Sequence, residues 1–307
     1  MFVGLGPWVI YFLMIDSLLP PKHKTLPFKL FLGTLAIWVV LGLIVGVLIR
    51  AVLVVTTLGL VGGIIYWFLA NAASEKFVVD VHQGELLEMN QAPRLYETVQ
   101  ELSELAGIEP PFIYVLPTKI PNAFVVSRRG RSSIIGVTTG LTAELERDEV
   151  QAVMAIMVAR IASGSALAWT IASALSGIPL QIAAPSATSD LVRQSPIRIL
   201  LCPGFLLYNK IVSDSTAVTD CDSFAGVLIG SHEVVAKALK KLANCRPVLN
   251  SSVSPSYAAT AQVFALPFYS PASENDWQTN ALKEAARDVP SIDDRIANLT
   301  ADPTAVI

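Results

Sequence analysis

Residues 30–70 have the sequence LFLGTLAIWVVLGLIVGVLIRAVLVVTTLGLVGGIIYWFLA, in which Arg50 is the only charged residue. The stretches 30–49 and 51–70 are each twenty residues long. About 20 apolar residues in a helix cross the hydrocarbon layer of a bilayer, which is roughly 30 Å thick. The sequence therefore predicts a transmembrane helical hairpin with Arg50 at its tip.

The composition of the whole chain agrees with a membrane location. Of its 307 residues, 53% are apolar and 15% are charged, and the mean hydropathy is +0.55. Soluble domains carry about 25% charged residues. Part of the surface must therefore face lipid.

The region ahead of the hairpin gives an expected orientation. Residues 1–19 are apolar but include a proline and an aspartate, which favours either a further crossing or an interfacial helix. Lys22, Lys24 and Lys29 follow in one short loop. Because cationic loops stay on the cytoplasmic side, we expect the chain after residue 71 to begin in the cytoplasm.

Charge and cysteine usage exclude some functions. The first 70 residues contain four cations and one anion, so the remainder carries −6 and is a poor partner for nucleic acid. The three cysteines, Cys202, Cys221 and Cys245, are widely spaced. They indicate neither a disulfide framework nor a paired-cysteine metal site.

The polar part alternates helical and strand patterns. We expect helices at 92–107 (ended by Gly107), 144–161, 222–242 and 292–299, and strands at 112–116 and 132–141. The apolar segments 161–184 and 199–208 suggest a hairpin that dips into the membrane, although the first would also suit a helix packed on other helices. Residues 246–280 have the composition of a loop or flexible excursion.

These patterns predict an α+β membrane protein. Its expected parts are a transmembrane region, 1–70, a mainly helical domain with a small sheet, 71–300, and a tail, 301–307. Apolar helices are expected within this domain near 150–184 and 197–212.

Four stretches in this order resemble the integral-membrane zinc metallopeptidases that include HtpX and the CAAX prenyl-protein endopeptidase. They are APRLYETVQELSELAGI, IPNAFVVSRRGRSSIIGVTTGL, ERDEVQAVMA and VPSIDDRIANL. The resemblance implies a helix with an HExxH motif, in which two histidines bind zinc and a glutamate acts as general base. It also implies a glutamate ligand on a later helix and a histidine before the C-terminal arginine helix.

The chain departs from this pattern at every position of the metal site. The histidine and glutamate positions of the motif are occupied by Ile156, Met157 and Arg160, and the later glutamate position by Val218. Val289 stands where the family commonly has the C-terminal histidine. The chain's histidines, His23, His82 and His232, are scattered. We therefore expect no metal site and no catalytic residue.

The resemblance also implies a peptide-binding region. It places Asn122, Ala123 and Phe124 in the family's NAF motif, and it suggests that a peptide lies along strand 132–139, which includes Ile135, Gly136 and Val137. The alternative is a strand edge blocked by loops. Nearby, Arg128, Arg129 and Arg131 form either a solvated hairpin tip, which we favour, or a contact for anionic lipid head groups.

Arg160 has two possible roles. It could replace the charge of the lost metal by pairing with Asp222 or Asp220, or it could extend to the membrane surface.

The sequence thus favours a membrane-anchored pseudopeptidase without cofactor, in the cytoplasmic membrane with its main domain in the cytoplasm. It would bind peptide segments of membrane proteins or regulate an active peptidase. The alternatives are a zinc metalloendopeptidase with non-standard ligands and a structural membrane subunit.

Overall fold

The computed structural model describes residues 25–183, 204, 207–208, 210–212, 215–245, 248–249, 259–266, 270–271 and 290–301. The predicted first apolar segment, most of the lysine-rich loop, residues 199–203 and Val289 lie outside these ranges.

Two long apolar helices form the predicted hairpin. Helix α1 covers Leu26–Leu48 and helix α2 covers Val52–Val81, and both are long and apolar enough to cross a membrane. Arg50 lies at the tip with φ 58°. A Cβ atom on Gly59 would lie 2.6 Å from the carbonyl oxygen of Trp38, so small residues allow the two backbones to approach closely.

Helix α2 is longer than the membrane requires. Its 30 residues extend about 45 Å, whereas the hydrocarbon layer is about 30 Å thick. The apolar segment 51–70 is long enough to span the hydrocarbon layer, and the last turns, which contain Ser74, Glu75 and Asp80, continue beyond that segment. The helix is followed directly by His82, which is buried in the following domain.

A four-stranded mixed sheet follows, with strand order β1-β2-β4-β3. The strands are β1 Glu85–Leu86, β2 Phe112–Leu116, β3 Ala123–Val126 and β4 Ile134–Thr138. β4 is parallel to β2 and antiparallel to β3, so that Ile135 lies between Ile113 and Val125. The predicted strand 132–141 is shorter than expected because helix α4, Thr139–Glu144, begins directly after it.

Three further helices are shorter than the sequence patterns indicated, and a sharp bend separates two of them. Helix α3, Pro93–Leu105, is followed by Gly107 with φ 65°, as predicted. Helix α5 covers Arg147–Ser163 and helix α6 covers Ser165–Ala183; they are bent by 86° at Gly164, whose φ is 77°. Together they are apolar enough for a third span, but most of α6 is buried within the protein up to Gly177.

The predicted helix 222–242 is two helices. Helix α7, Ser215–Ile229, ends at Gly230, whose φ of 72° favours glycine, and helix α8, His232–Asn244, begins after Ser231. The Ser231 side chain accepts a hydrogen bond from the amide of Val234, which caps α8. Helix α9, Ile292–Ala301, is capped in the same way by Ser291, as predicted.

Two apolar clusters lie on opposite faces of the sheet. Ala123 and Val125 contribute to the cluster formed with α3, α5, α7 and α8, whereas Phe124 and Val126 contribute to the cluster formed with α2 and α6. This alternation is that of a strand buried on both faces.

Residues 246–280 were predicted to form a loop or a flexible excursion, and the flexible alternative is wrong for part of that range. Val248–Leu249 (β5) and Ser270–Pro271 (β6) pair in parallel. Residues 259–266, hereafter the inner segment, include the 3₁₀ turn Ala261–Val263 and are almost entirely buried. Apolar side chains of the inner segment belong to both clusters, so it is part of the core.

Candidate functional site

Helix α5 carries the positions at which the resemblance implies a metal site. Its first turn is fixed by a capping box between Glu146 and Glu149, and Lys241 of α8 lies 2.7 Å from the Glu149 carboxylate. Ile156 and Met157 are fully buried in the core beside α7. Arg160, one turn after Ile156, is only 2% exposed.

Arg160 binds backbone carbonyl groups of the inner segment. Its Nη1 donates a hydrogen bond of 2.7 Å to the carbonyl of Phe264, and its Nη2 donates a longer one of 3.4 Å to that of Ala265. The guanidinium also lies 4.8 Å from the centre of the Trp169 ring. The alternative that Arg160 extends to the membrane surface is therefore wrong.

Asp222 is paired with a different arginine. Its two oxygens accept hydrogen bonds of 2.6 and 2.7 Å from Nε and Nη2 of Arg295 in α9. Asp222 therefore bonds Arg295 and not Arg160 as predicted, whereas the alternative pairing of Arg160 with Asp220 stays a prediction. Arg295 Nη1 also donates 3.0 Å to the carbonyl of Ala265. Arg160, Arg295 and Asp222 are called the arginine centre below.

The inner segment lies along the outer edge of β3. The amide of Ala265 donates 2.8 Å to the carbonyl of Ala123, and Asn122 donates 2.7 Å from its side chain to the carbonyl of Leu266. Phe124 and Phe264 form an antiparallel bridge, and their ring centres are 5.4 Å apart. The three NAF-motif positions thus contact an extended segment, and that segment belongs to the chain itself.

Ile135, Gly136 and Val137 occupy a different position from the one expected. They lie in β4, which pairs with β2 on one side and β3 on the other, so this strand has no free edge for a peptide. A peptide cannot add as a further strand beside β4, and the strand edge that contacts the inner segment is that of β3. A Cβ atom on Gly136 would lie 1.9 Å from the Phe124 ring, so the glycine makes room for that ring.

Gly136→Ala is expected to lower the free energy of unfolding by about 1–3 kcal/mol, because the added methyl group overlaps the Phe124 ring. Denaturant titration of the detergent-solubilised chain measures the loss. In the double variant Gly136→Ala with Phe124→Leu, the smaller leucine side chain should relieve the overlap. The loss of unfolding free energy in the double variant should therefore be smaller than the sum of the losses in the two single variants. Strictly additive losses would contradict this role of Gly136.

His82 connects the end of α2 to the inner segment. Its Nε2 is 2.8 Å from the hydroxyl of Thr260, and its ring centre is 4.7 Å from that of Phe264. Burial lowers the pKa of His82 to about 3, so the folded protein holds this imidazole neutral.

Stability should fall in mild acid because of His82. The unfolded chain takes up a proton near pH 6.5 that the folded chain refuses until about pH 3, so stability is full above pH 6.5 and is lost as the pH falls toward 3. The loss is about 1.4 kcal/mol per pH unit. Between pH 7 and 5, the melting temperature should fall less steeply with decreasing pH for His82→Gln than for the control His232→Gln. An equal dependence of the melting temperature on pH in the two variants would contradict the prediction.

The side chains of this region do not suit a divalent metal ion. Ile156 and Val218 have no lone pair, and Arg160 is a permanent cation. Both oxygens of Asp222 are occupied by Arg295. Burial raises the pKa of the Cys221 thiol to about 11, which disfavours the thiolate that binds metals. In the described ranges, no three histidine, cysteine or acidic side chains form a group that could hold a metal.

Arg295 and the inner segment were missed as site elements. Arg295 had a detectable signal, because it follows Ile292 by three residues and precedes Leu299 by four, which places a charge on the apolar face of α9. The inner segment had no such signal, since its composition resembles that of the loop around it.

The arginines near residue 130 form the expected hairpin tip, with Arg129 and Arg131 exposed. Contact of these arginines with lipid head groups stays a prediction.

A family model described as Peptidase family M48 matches residues 89–301, about two thirds of the chain. The chain is also similar to relatives described as Protease HtpX homolog. That of Thermococcus sibiricus is 36% identical over 118 residues, which are 38% of this chain and 39% of the relative. That of Pyrococcus furiosus is 34% identical over 112 residues, or 36% of this chain and 37% of the relative.

A longer match, with the relative from Desulfatibacillum aliphaticivorans, is 28% identical over 250 residues and covers 76% of this chain and 75% of the relative. In the first two matches the chain spans about two fifths of the relative's length. The matched family region begins after α2 and contains the whole arginine centre.

Proposed function

Because the chain belongs to peptidase family M48, in its HtpX-type branch, we propose that it is a membrane-anchored pseudopeptidase that binds peptides without hydrolysing them. The observation that carries the proposal is that Arg160, at a motif position for a metal ligand, donates hydrogen bonds to peptide carbonyl groups instead.

The chemistry of the motif positions supports the loss of hydrolysis. A hydrolytic site of this family needs lone-pair donors for the metal and a carboxylate that takes a proton from water. The aliphatic Ile156 and the thioether Met157 supply neither, and both are fully buried. A guanidinium can bind and orient a carbonyl oxygen, but it cannot accept the proton of an attacking water. We therefore assign no cofactor.

The binding half of the site supports peptide recognition. The outer edge of β3 bonds an extended backbone through the carbonyl of Ala123, and Asn122 bonds Leu266 through both atoms of its amide. Main-chain bonding of this kind gives affinity that depends little on sequence. We expect the ligands to be extended apolar segments, such as those of membrane proteins or of a peptidase that this chain regulates.

The proposed setting is the cytoplasmic membrane, with the main domain in the cytoplasm. Lys22 and Lys24 ahead of α1, and Lys29 in its first turn, support this orientation through the preference of cationic segments for the cytoplasmic side. The hairpin of α1 and α2 then returns the chain to that side before the domain begins.

Metal analysis and a protease assay test the proposal against the alternative of a zinc metalloendopeptidase with displaced ligands. The full chain, purified in detergent, should contain no stoichiometric zinc and should not cleave casein. The Thermococcus sibiricus relative, prepared in parallel, serves as the positive control for the protease assay. Stoichiometric zinc that a chelator removes together with casein cleavage would overturn the proposal. A structural subunit is distinguished by the peptide-binding measurements described next.

A further inference from the structure

We propose that the inner segment is a built-in peptide that occupies the binding edge of β3, and that it must leave before a peptide from another protein can bind. The inference rests on the proposed function, because it concerns regulation of the same edge. Its ligand class is an extended apolar peptide that carries an aromatic residue followed by a small one, as in Phe264 and Ala265.

The inner segment makes the bonds of an added strand. The amide of Ala265 donates to Ala123, and the backbone of Leu266 bonds both atoms of the Asn122 side-chain amide at 2.7 and 3.4 Å. Phe264 is opposite Phe124, and the rings of Phe264, Phe124 and His82 contact one another with centre distances of 4.7 to 6.0 Å. A peptide in trans would need these same groups, so the two cannot bind together.

The arginine centre explains why the edge should not stay empty. It contains two buried guanidinium groups and one buried carboxylate, so it has an excess positive charge. Three hydrogen bonds to the carbonyls of Phe264 and Ala265 stabilise this charge. Loss of the inner segment without replacement would leave these donors unbonded, which is costly for buried charged groups. Exchange for another peptide's carbonyls avoids this cost.

The chain geometry favours the inner segment over a free competitor. The pairing of β5 with β6 holds together the two ends of the excursion that carries it. A tethered ligand of this kind acts at an effective concentration of about millimolar. A free peptide should therefore bind the native chain weakly, and weakening the contacts of the inner segment should increase its affinity.

The test uses the full chain in detergent and a fluorescent peptide with the sequence of residues 259–266, ATAQVFAL, in an anisotropy titration. The variant Phe264→Ala removes the ring of the inner segment and leaves β3 and the arginine centre unchanged. We expect it to bind the peptide roughly 10-fold or more tightly than the native chain. The control variant Phe112→Ala also removes a phenyl ring, but from a half-exposed position on β2. This control should bind the peptide as weakly as the native chain does. The peptide ATAQVAAL, which lacks the ring, should bind poorly.

The outcomes separate this inference from the proposed function. If the native chain binds the peptide as tightly as Phe264→Ala does, the inner segment is no barrier; the inference fails and peptide binding stands. If neither protein binds the peptide and both melt cooperatively, the proposed peptide binding fails and the inference fails with it.

Hydrogen exchange of the native chain keeps the test decisive if Phe264→Ala does not fold. With saturating peptide, amides of the inner segment, including that of Ala265, should exchange faster, while the β3 amides stay protected. Binding of the peptide with unchanged protection of the inner segment would overturn the inference. Absence of binding at peptide concentrations above millimolar would overturn the proposed function.

Discussion

Asp222→Ala is expected to lower the free energy of unfolding by about 3–5 kcal/mol, because it leaves Arg295 as a buried cation without its counter-charge. Both groups are almost completely buried, at 1% and 3% exposure, and their two hydrogen bonds are short. Arg160 is close enough for the carboxylate to stabilise its charge as well. Denaturant titration in detergent measures the loss.

A double-mutant cycle identifies the partner of Asp222. Asp222→Ala and Arg295→Met should be strongly coupled, so that the double variant is more stable than the sum of the two single losses predicts. Coupling of Asp222→Ala to Arg160→Met should be smaller, because no hydrogen bond joins that pair. Stronger coupling to Arg160 than to Arg295 would restore the ion pair that the sequence suggested and contradict the geometry described above.

The second large effect is the creation of a zinc site. The variant Ile156→His, Met157→Glu, Arg160→His and Val218→Glu should bind one zinc ion per chain, because α5 packs against α7. The resemblance gives the positions of Ile156, Arg160 and Val218 to the zinc ligands and that of Met157 to the general base. Zinc at 1,000 times its dissociation constant should stabilise the folded variant by about 4 kcal/mol. Elemental analysis before and after chelation, with melting curves, measures both quantities.

The matched control keeps Arg160 and carries the other three substitutions. It should bind no stoichiometric zinc, since the guanidinium repels the ion and one imidazole is absent. If the fourfold variant folds but binds no more zinc than this control, the correspondence between these helices and the family's metal-binding helices is wrong. Cleavage of casein is not the readout, since Val289 stands where the family commonly has a histidine.

Local patterns were sufficient to predict much of the fold. The uncharged runs on either side of Arg50 predicted the hairpin, Gly107 predicted the C-terminal end of α3, and Ser291 predicted the start of α9. The helix boundaries at Gly164 and Gly230 were not predicted, although glycine commonly follows the end of a helix. Both glycines have a positive φ, which stops the preceding helix.

The partners of the site could not be predicted in the same way. Arg160 is separated from Phe264 by 104 residues, and Asp222 from Arg295 by 73. Sequence spacing identifies neighbours on one helix, but it does not order the strands of a sheet. For this reason β4 was expected at an edge of the sheet, although it lies in the interior. Asn122, which was expected to contact a peptide, lies just before β3 and bonds the inner segment at the edge of that strand.

The position of Arg295 in the chain affects how the protein is made. A ribosome adds about 5–20 residues per second, so Arg295, which follows Arg160 by 135 residues, is synthesised roughly 7–27 s later. Asp222 precedes Arg295 by 73 residues, so it lacks its guanidinium partner for roughly 4–15 s of that interval. A chain that stopped before α9 would therefore keep Asp222 as a carboxylate without the two hydrogen bonds that Arg295 supplies.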